Sequence, residues 1–419
     1  MLIVLIILLG TMMIGVPLAL SMGAAGLFGL IDGNINITVM SQQVYTGLNS
    51  FTLIAIPLFT FMGNLMSSSG LTDKLINFCN AIFGRFKGGL GIASIAAGAF
   101  FASICGAAVA STASLGSILI PTLKKEGYGA GFSGAIIAAA GSLGPIIPPS
   151  ILLVIYGSQT GVSVGDLFIA GIIPGLMMAA LFVVVVVQRA HTRHFPVHEK
   201  CSLRQVGHSF ADAWSAILIP VIVVVGITAG IFTVTESAGI VVIYALIICL
   251  FKRVPLSEIA NGAESAVKET ASICFVIAAS SLLAWVLTRG QLPQNLVAFI
   301  VSMNVSKVLL LVFINIFLII LGMLMAPAAA MIIAIPLLMP LAQQYGINLI
   351  QFGLIIVFNL NLGILTPPVA VSLFMTARMS GTSFATQVKE AFPFLLISFI
   401  VLIIITYWEP FTTFLPGLL

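Results

Sequence analysis

Long apolar stretches separated by short polar or basic breaks run from end to end of this 419-residue chain. A bilayer core of about 30 Å needs about 20 helical residues. The stretches 3–29, 51–69, 131–158, 168–188, 213–231, 236–251, 265–288, 351–376 and 391–412 therefore predict membrane spans. Two stretches, 88–123 and 308–343, are too long for one span and carry small residues and Pro near their middle or exit. Each predicts a re-entrant hairpin that enters, turns and leaves on one side. The apolar start over 3–29 has no basic segment before it and reads as a first span rather than a removable signal. Leu71 to Phe83 is short and amphipathic, and Leu292 to Met303 occupies the matching place in the second half. They read either as interfacial arms or as ordinary connecting helices.

Gly and Pro punctuate these stretches with a register of their own. Pro121, Gly127, Gly134, Gly144, Pro148 and Pro149 recur 219 residues later as Pro340, Gly346, Gly353, Gly363, Pro367 and Pro368, and Pro174 and Pro393 extend the series. These residues fix or free the backbone, so the repeat is one of chain geometry. Gly144–Pro149 and Gly363–Pro368 each interrupt an apolar stretch and predict a helix broken near mid-membrane. Paired breaks at equivalent places mark a transporter binding site.

Charge placement tests the count. With 71–87 taken as cytoplasmic, 14 of the 16 basic residues fall on that side, leaving Arg289 and Lys307 opposite. The positive-inside rule is met only if both hairpins return to their starting side. The hairpins then open from opposite faces and the repeats are inverted. On the same propagation the N-terminus is cytoplasmic. The resulting organisation is a scaffold span over 1–50 and a first repeat over 51–190. A cytoplasmic loop and scaffold helix pair follow over 191–264, then a second repeat over 265–419.

Composition narrows the chemistry. The chain is 60% hydrophobic and 7% charged, against about 25% charged in soluble proteins. This is an all-α polytopic membrane protein. The five cysteines are scattered without a CxxC, and His191, His194, His198 and His208 sit in a basic polar loop, so no metal site is suggested. No nucleophile–base pair or phosphate loop appears, so the chain is not expected to be an enzyme, and nothing suggests nucleic-acid binding. The 12 acidic residues lie in or near loops and span ends, which disfavours a proton relay. Neutral oxygen remains. Ser103, Gly106, Ser111 and Thr112 mark the first hairpin, with Gly144, Pro148 and Ser150 at the first break. Ala326 and Pro327 mark the second hairpin, with Asn359, Asn361, Gly363, Thr366 and Pro367 at the second break. Carbonyls freed by Pro, together with hydroxyls, suit Na⁺, and half-helix N-termini favour an anion. Each hydroxyl taken singly also has an ordinary reading as helix packing. In Phe232–Gly239, Thr235 is the expected N-cap with Glu236 in the first turn.

At these residues the chain resembles the large membrane subunit of tripartite ATP-independent periplasmic (TRAP) transporters. The likeness covers nearly the whole length. It rests on Gly15-Val16-Pro17, Ile56-Pro57, Ala110-Ser111-Thr112-Ala113, the stretch Gly144 to Ser150, Leu167 to Gly175, Phe232 to Gly239, and Thr366-Pro367-Pro368. The resemblance implies an elevator-type transporter of the ion transporter superfamily, in which hairpins and broken helices slide against a scaffold. It implies a small four-helix membrane subunit and a periplasmic substrate-binding protein as partners, and placement in a bacterial inner membrane. It implies an organic-acid substrate, such as a C4-dicarboxylate, sialic acid or another sugar acid. Na⁺ is the implied coupling ion, bound near the hairpin tips and breaks, and no cofactor is implied. Where many members carry Ser-Gly-Ser at the first hairpin, this chain has Cys105-Gly106-Ala107. Where many have an acidic residue after the second hairpin's Met, it has Ala326 after Met325. The alternatives are a stand-alone Na⁺-coupled anion permease of related fold, needing no binding protein, and a membrane anchor. Mostly apolar spans disfavour a channel.

Overall fold

The computed structural model describes residues 1–193, 195 and 202–418, apart from the side chains of Leu2 and Leu203. His194, His198 and Cys201 lie outside the described residues. Among the described residues all regular structure is helical. The first half runs α1 (Leu2–Met13), α2 (Leu18–Asp32), α3 (Thr38–Leu48), α4 (Ala55–Ser68), α5 (Leu71–Phe83), α6 (Gly89–Cys105), α7 (Ala108–Lys125), α8 (Ala130–Gly141), α9 (Ile151–Thr160) and α10 (Val164–Arg193). The second half runs α11 (Leu203–Thr228), α12 (Val234–Phe251), α13 (Leu256–Arg289), α14 (Leu292–Ser302), α15 (Lys307–Leu324), α16 (Pro327–Gln344), α17 (Leu349–Gly363), α18 (Val371–Ser380) and α19 (Phe384–Tyr407).

The inversion can be read from three packed pairs. α4 and α13 are equivalent helices, yet they run antiparallel: upstream of α4, Gly47 of α3 meets Ser281, and within α4 Asn64 Nδ2 donates to Gly262 O at 2.9 Å. α12 runs parallel to α4, tied by Thr235 to Phe51 O and by Lys252 Nζ to Ser69 O. In mirror fashion α2 runs parallel to α13, with Gly26 against Leu282 and Gly29 against Val286. Glycine permits these close approaches, as membrane helix packing requires. Matching bends reinforce the symmetry. Gly127 and Gly346 have φ of +80° and +58°, and the peptides Pro148–Pro149 and Pro367–Pro368 are both cis.

The apolar stretches 88–123 and 308–343 are helical hairpins, α6–α7 and α15–α16, that turn at Gly106 and at Met325–Ala326. Gly106 adopts φ +64°, a conformation that favours glycine. The helices α8–α9 and α17–α18 are the two broken helices. Elements correspond further upstream than position 51, since α1–α4 have counterparts in α11–α13.

The stretch 3–29 is not one span. Gly15, at φ +84°, and Pro17 turn the chain, and α2 returns along α1 so that Val4 faces Gly29. At 1.5 Å per residue each arm is only about 18–23 Å long. Met1 therefore packs against Gly290, beyond the end of α13 and opposite the 71–87 loop. A cytoplasmic N-terminus was expected from a single outward span, and the hairpin removes that premise. α3 likewise extends the span expected at 51–69. The cap of α12 is Thr233 rather than Thr235, in a reciprocal box with Glu236.

Candidate functional site

Hairpin and break meet closely in the first half. At Gly106 a side chain would come within 2.7 Å of Pro149 O, and Gly106 O accepts from Ile151 N at 3.4 Å. Gly144 abuts the backbone of Ala107 and Ala108, and Gly141 abuts Thr112. Thr112 Oγ1 is spent on Ala108 O, one turn back in its own helix. Ser111 Oγ is buried beside the Cys105 thiol without a well-formed hydrogen bond. Ser150 caps α9, its Oγ accepting from Leu153 N and donating to Pro145 O. Pro148 and every other residue of 141–150 are buried.

The two breaks touch at their symmetry-related positions. Asn361 Nδ2 donates to Ser142 O at 2.7 Å, across an offset of 219 residues. Asn361 Oδ1 is buried and unpartnered. Gly363 packs on Gly322 so tightly that a Cβ there would lie 2.1 Å from Gly322 C. Thr366 Oγ1, in the break itself, donates to Leu362 O in the last turn of α17. The second tip is open: Ala326 is exposed, Pro327 and Pro367 are half-buried, and Pro368 and Val369 are exposed.

Two expected site residues face elsewhere. Ser103 Oγ bonds to Phe100 O, and the residue lines an apolar crevice of about 490 Å³ between α6, α10 and α11. Asn359 lies two residues from Asn361, roughly 200° around the helix. Its Nδ2 donates to Asn315 Oδ1 at 2.6 Å and to Ile355 O at 2.7 Å. Asn315 in turn reaches Thr406 on α19, where Gln351 also bonds. This amide cluster joins α15, α17 and α19. Asn315 was not among the expected site residues, and its signal in the sequence is an isolated amide within the apolar stretch of α15. A second missed group is Gln387, buried against Gly134 and donating to Thr376 Oγ1. No group of three or more His, Cys, Asp or Glu that could hold a metal occurs among the described residues.

Hairpin tips against broken helices, in inverted halves, are the features of a carrier. Residues 5–411 match the family model of the tripartite ATP-independent periplasmic transporter, DctM component. The chain belongs to this TRAP family. The C4-dicarboxylate TRAP transporter large permease protein DctM of Pseudomonas aeruginosa is 36% identical over 400 residues, covering 95% of this chain and 94% of that protein. The sialic acid TRAP transporter large permease protein SiaM of Vibrio cholerae is 33% identical, covering 98% and 97%. Among solved structures, the Alcanivorax borkumensis YdaH transporter has a TM-score of 0.61 at 16% identity, covering 89% of this chain and 88% of that one. That likeness concerns the fold alone. As a TRAP large permease component the chain is a multi-pass transporter subunit and not an enzyme.

Proposed function

We propose that the chain is the permease subunit of a Na⁺-coupled, binding-protein-dependent secondary transporter that imports an organic anion by an elevator movement. The observation that carries this reading is the meeting of Ser142 and Asn361, equivalent positions on two broken helices, beside unpartnered buried oxygens. Ser111 Oγ, Asn361 Oδ1 and the carbonyls around Gly144 to Pro148 offer a Na⁺ ion neutral oxygen ligands, while the half-helix N-termini attract an anion. Helices α6–α10 and α15–α19 form the moving body, and α1–α4 and α11–α13 the fixed one. A small membrane subunit and a periplasmic binding protein complete the system in a bacterial inner membrane, with basic loops inward. C4-dicarboxylates and sialic acid, named for two relatives, are the first candidate cargoes.

The test is uptake of radiolabelled succinate and sialic acid into proteoliposomes holding this chain and its small subunit. The binding protein and an inward Na⁺ gradient are each added or omitted. Uptake that needs both is expected. Uptake with Na⁺ but without binding protein would replace this reading with a stand-alone permease.

A further inference from the structure

Ser150 and Ala370 precede α9 and α18, and they differ in what they offer a ligand. Ser150 places its own oxygen on the first turn of α9, in a wholly buried segment. The positive end of that helix is already occupied. Ala370, at φ +42°, brings no side-chain acceptor, and Pro368, Val369 and Val371 beside it are exposed. The first turn of α18 thus has no capping side chain and lies beside exposed residues. The next turn position is exchanged as well: Leu152 in α9 corresponds to Ser372 in α18, at an offset of 220 residues. Ser372 is fully buried, and its Oγ has no hydrogen-bond partner. Side chains in a helix lean toward its N-terminus, so this hydroxyl leans to the open end. Ser372 N–H donates to Ile364 O, which holds the turn over the break.

We propose that the carboxylate of the transported acid binds at the N-terminus of α18, on the N–H groups of Val371 and Leu373 and on Ser372 Oγ, and not at α9. This rests on the reading of the chain as an anion carrier. A carboxylate there satisfies N–H groups that lack partners within the helix and takes up a free buried donor. The self-capped first break is left to the cation. The two halves of one duplicated unit thereby divide the ion pair between them.

Val371 is 42% exposed, so Asp or Asn fits there without repacking. Val371→Asp places a carboxylate at the proposed anion site, and Val371→Asn is its uncharged match. Each variant is purified with the small subunit. Thermal stabilisation by succinate and by sialic acid is measured, beside Na⁺-driven uptake in the complete system. The acid concentration for half-effect should rise about tenfold or more in Val371→Asp, the scale of a direct charge conflict. It should rise far less in Val371→Asn, with the Na⁺ dependence unchanged in both variants. Equal behaviour of the Asp and Asn variants overturns the assignment while leaving the carrier reading intact. If neither acid stabilises or is transported by the unmodified complex, the reading as a carrier of these acids falls, and this site with it.

Discussion

At the scale of single residues, the prolines of the breaks and the free oxygens beside them separate function from packing. Pro148 and Pro367 each remove a backbone donor where a continuous helix would otherwise close. Pro148→Ala and Pro367→Ala should rebuild helix there and abolish uptake, while the purified proteins stay folded by circular dichroism. Full activity in both would discard the broken-helix site. Ser111→Ala removes an oxygen that lies beside the Cys105 thiol without a well-formed hydrogen bond. It should raise the Na⁺ concentration for half-maximal uptake several-fold with little change in thermal stability. A packing hydroxyl would show the opposite pattern.

Between elements, close helix approach and buried amides do different work. Gly363→Ala would drive a methyl into the backbone of Gly322. Separating α15 from α17 costs on the order of 1–3 kcal/mol, typical of overpacking, and should appear as a lower unfolding temperature. Asn315→Leu should instead cost about 1 kcal/mol or less, since interhelical side-chain bonds in membranes are modest. Its first-half counterpart is Ala96, so this tie belongs to one repeat alone. The repeats and breaks were legible in the sequence because Gly and Pro act on backbone geometry wherever they stand. The α1–α2 hairpin was not, because Gly15-Val16-Pro17 interrupts an apolar run without any polar residue to mark a turn. α3 was passed over for the opposite reason. Its Thr38, Ser41, Gln42 and Gln43 lower its hydropathy to that of a loop, although it packs along α13 through Gly47. Asn359 was expected at the site as a neutral oxygen of the second broken helix, and helical rotation turns it to Asn315 instead.

For the whole molecule, the boundary between the proposed moving and fixed bodies can be tested with one thiol already present. Cys105, at the first hairpin's tip, lies against Gly63 of α4, where a Cβ would be 2.8 Å from its Sγ and 3.6 Å from its Cβ. That spacing suits a disulfide. Gly63→Cys should cross-link to Cys105 on oxidation and stop uptake. Reduction should restore it, and adding Cys105→Ala should remove the effect. Uptake that continues through the cross-link would mean that α4 and the hairpin travel together.

The unequal burial of the two breaks has a consequence for time as well as space. One half is shut at Pro149 and Ser150 while its twin lies open at Pro368 and Val369. Under the proposed elevator movement, inverted copies would let each half take up the packing that the other now has. Exchanging the two would yield a second arrangement with little new architecture, with Pro149 and Ser150 exposed and Pro368 and Val369 covered. The asymmetry would then be one frame of the proposed cycle, and its reflection the other.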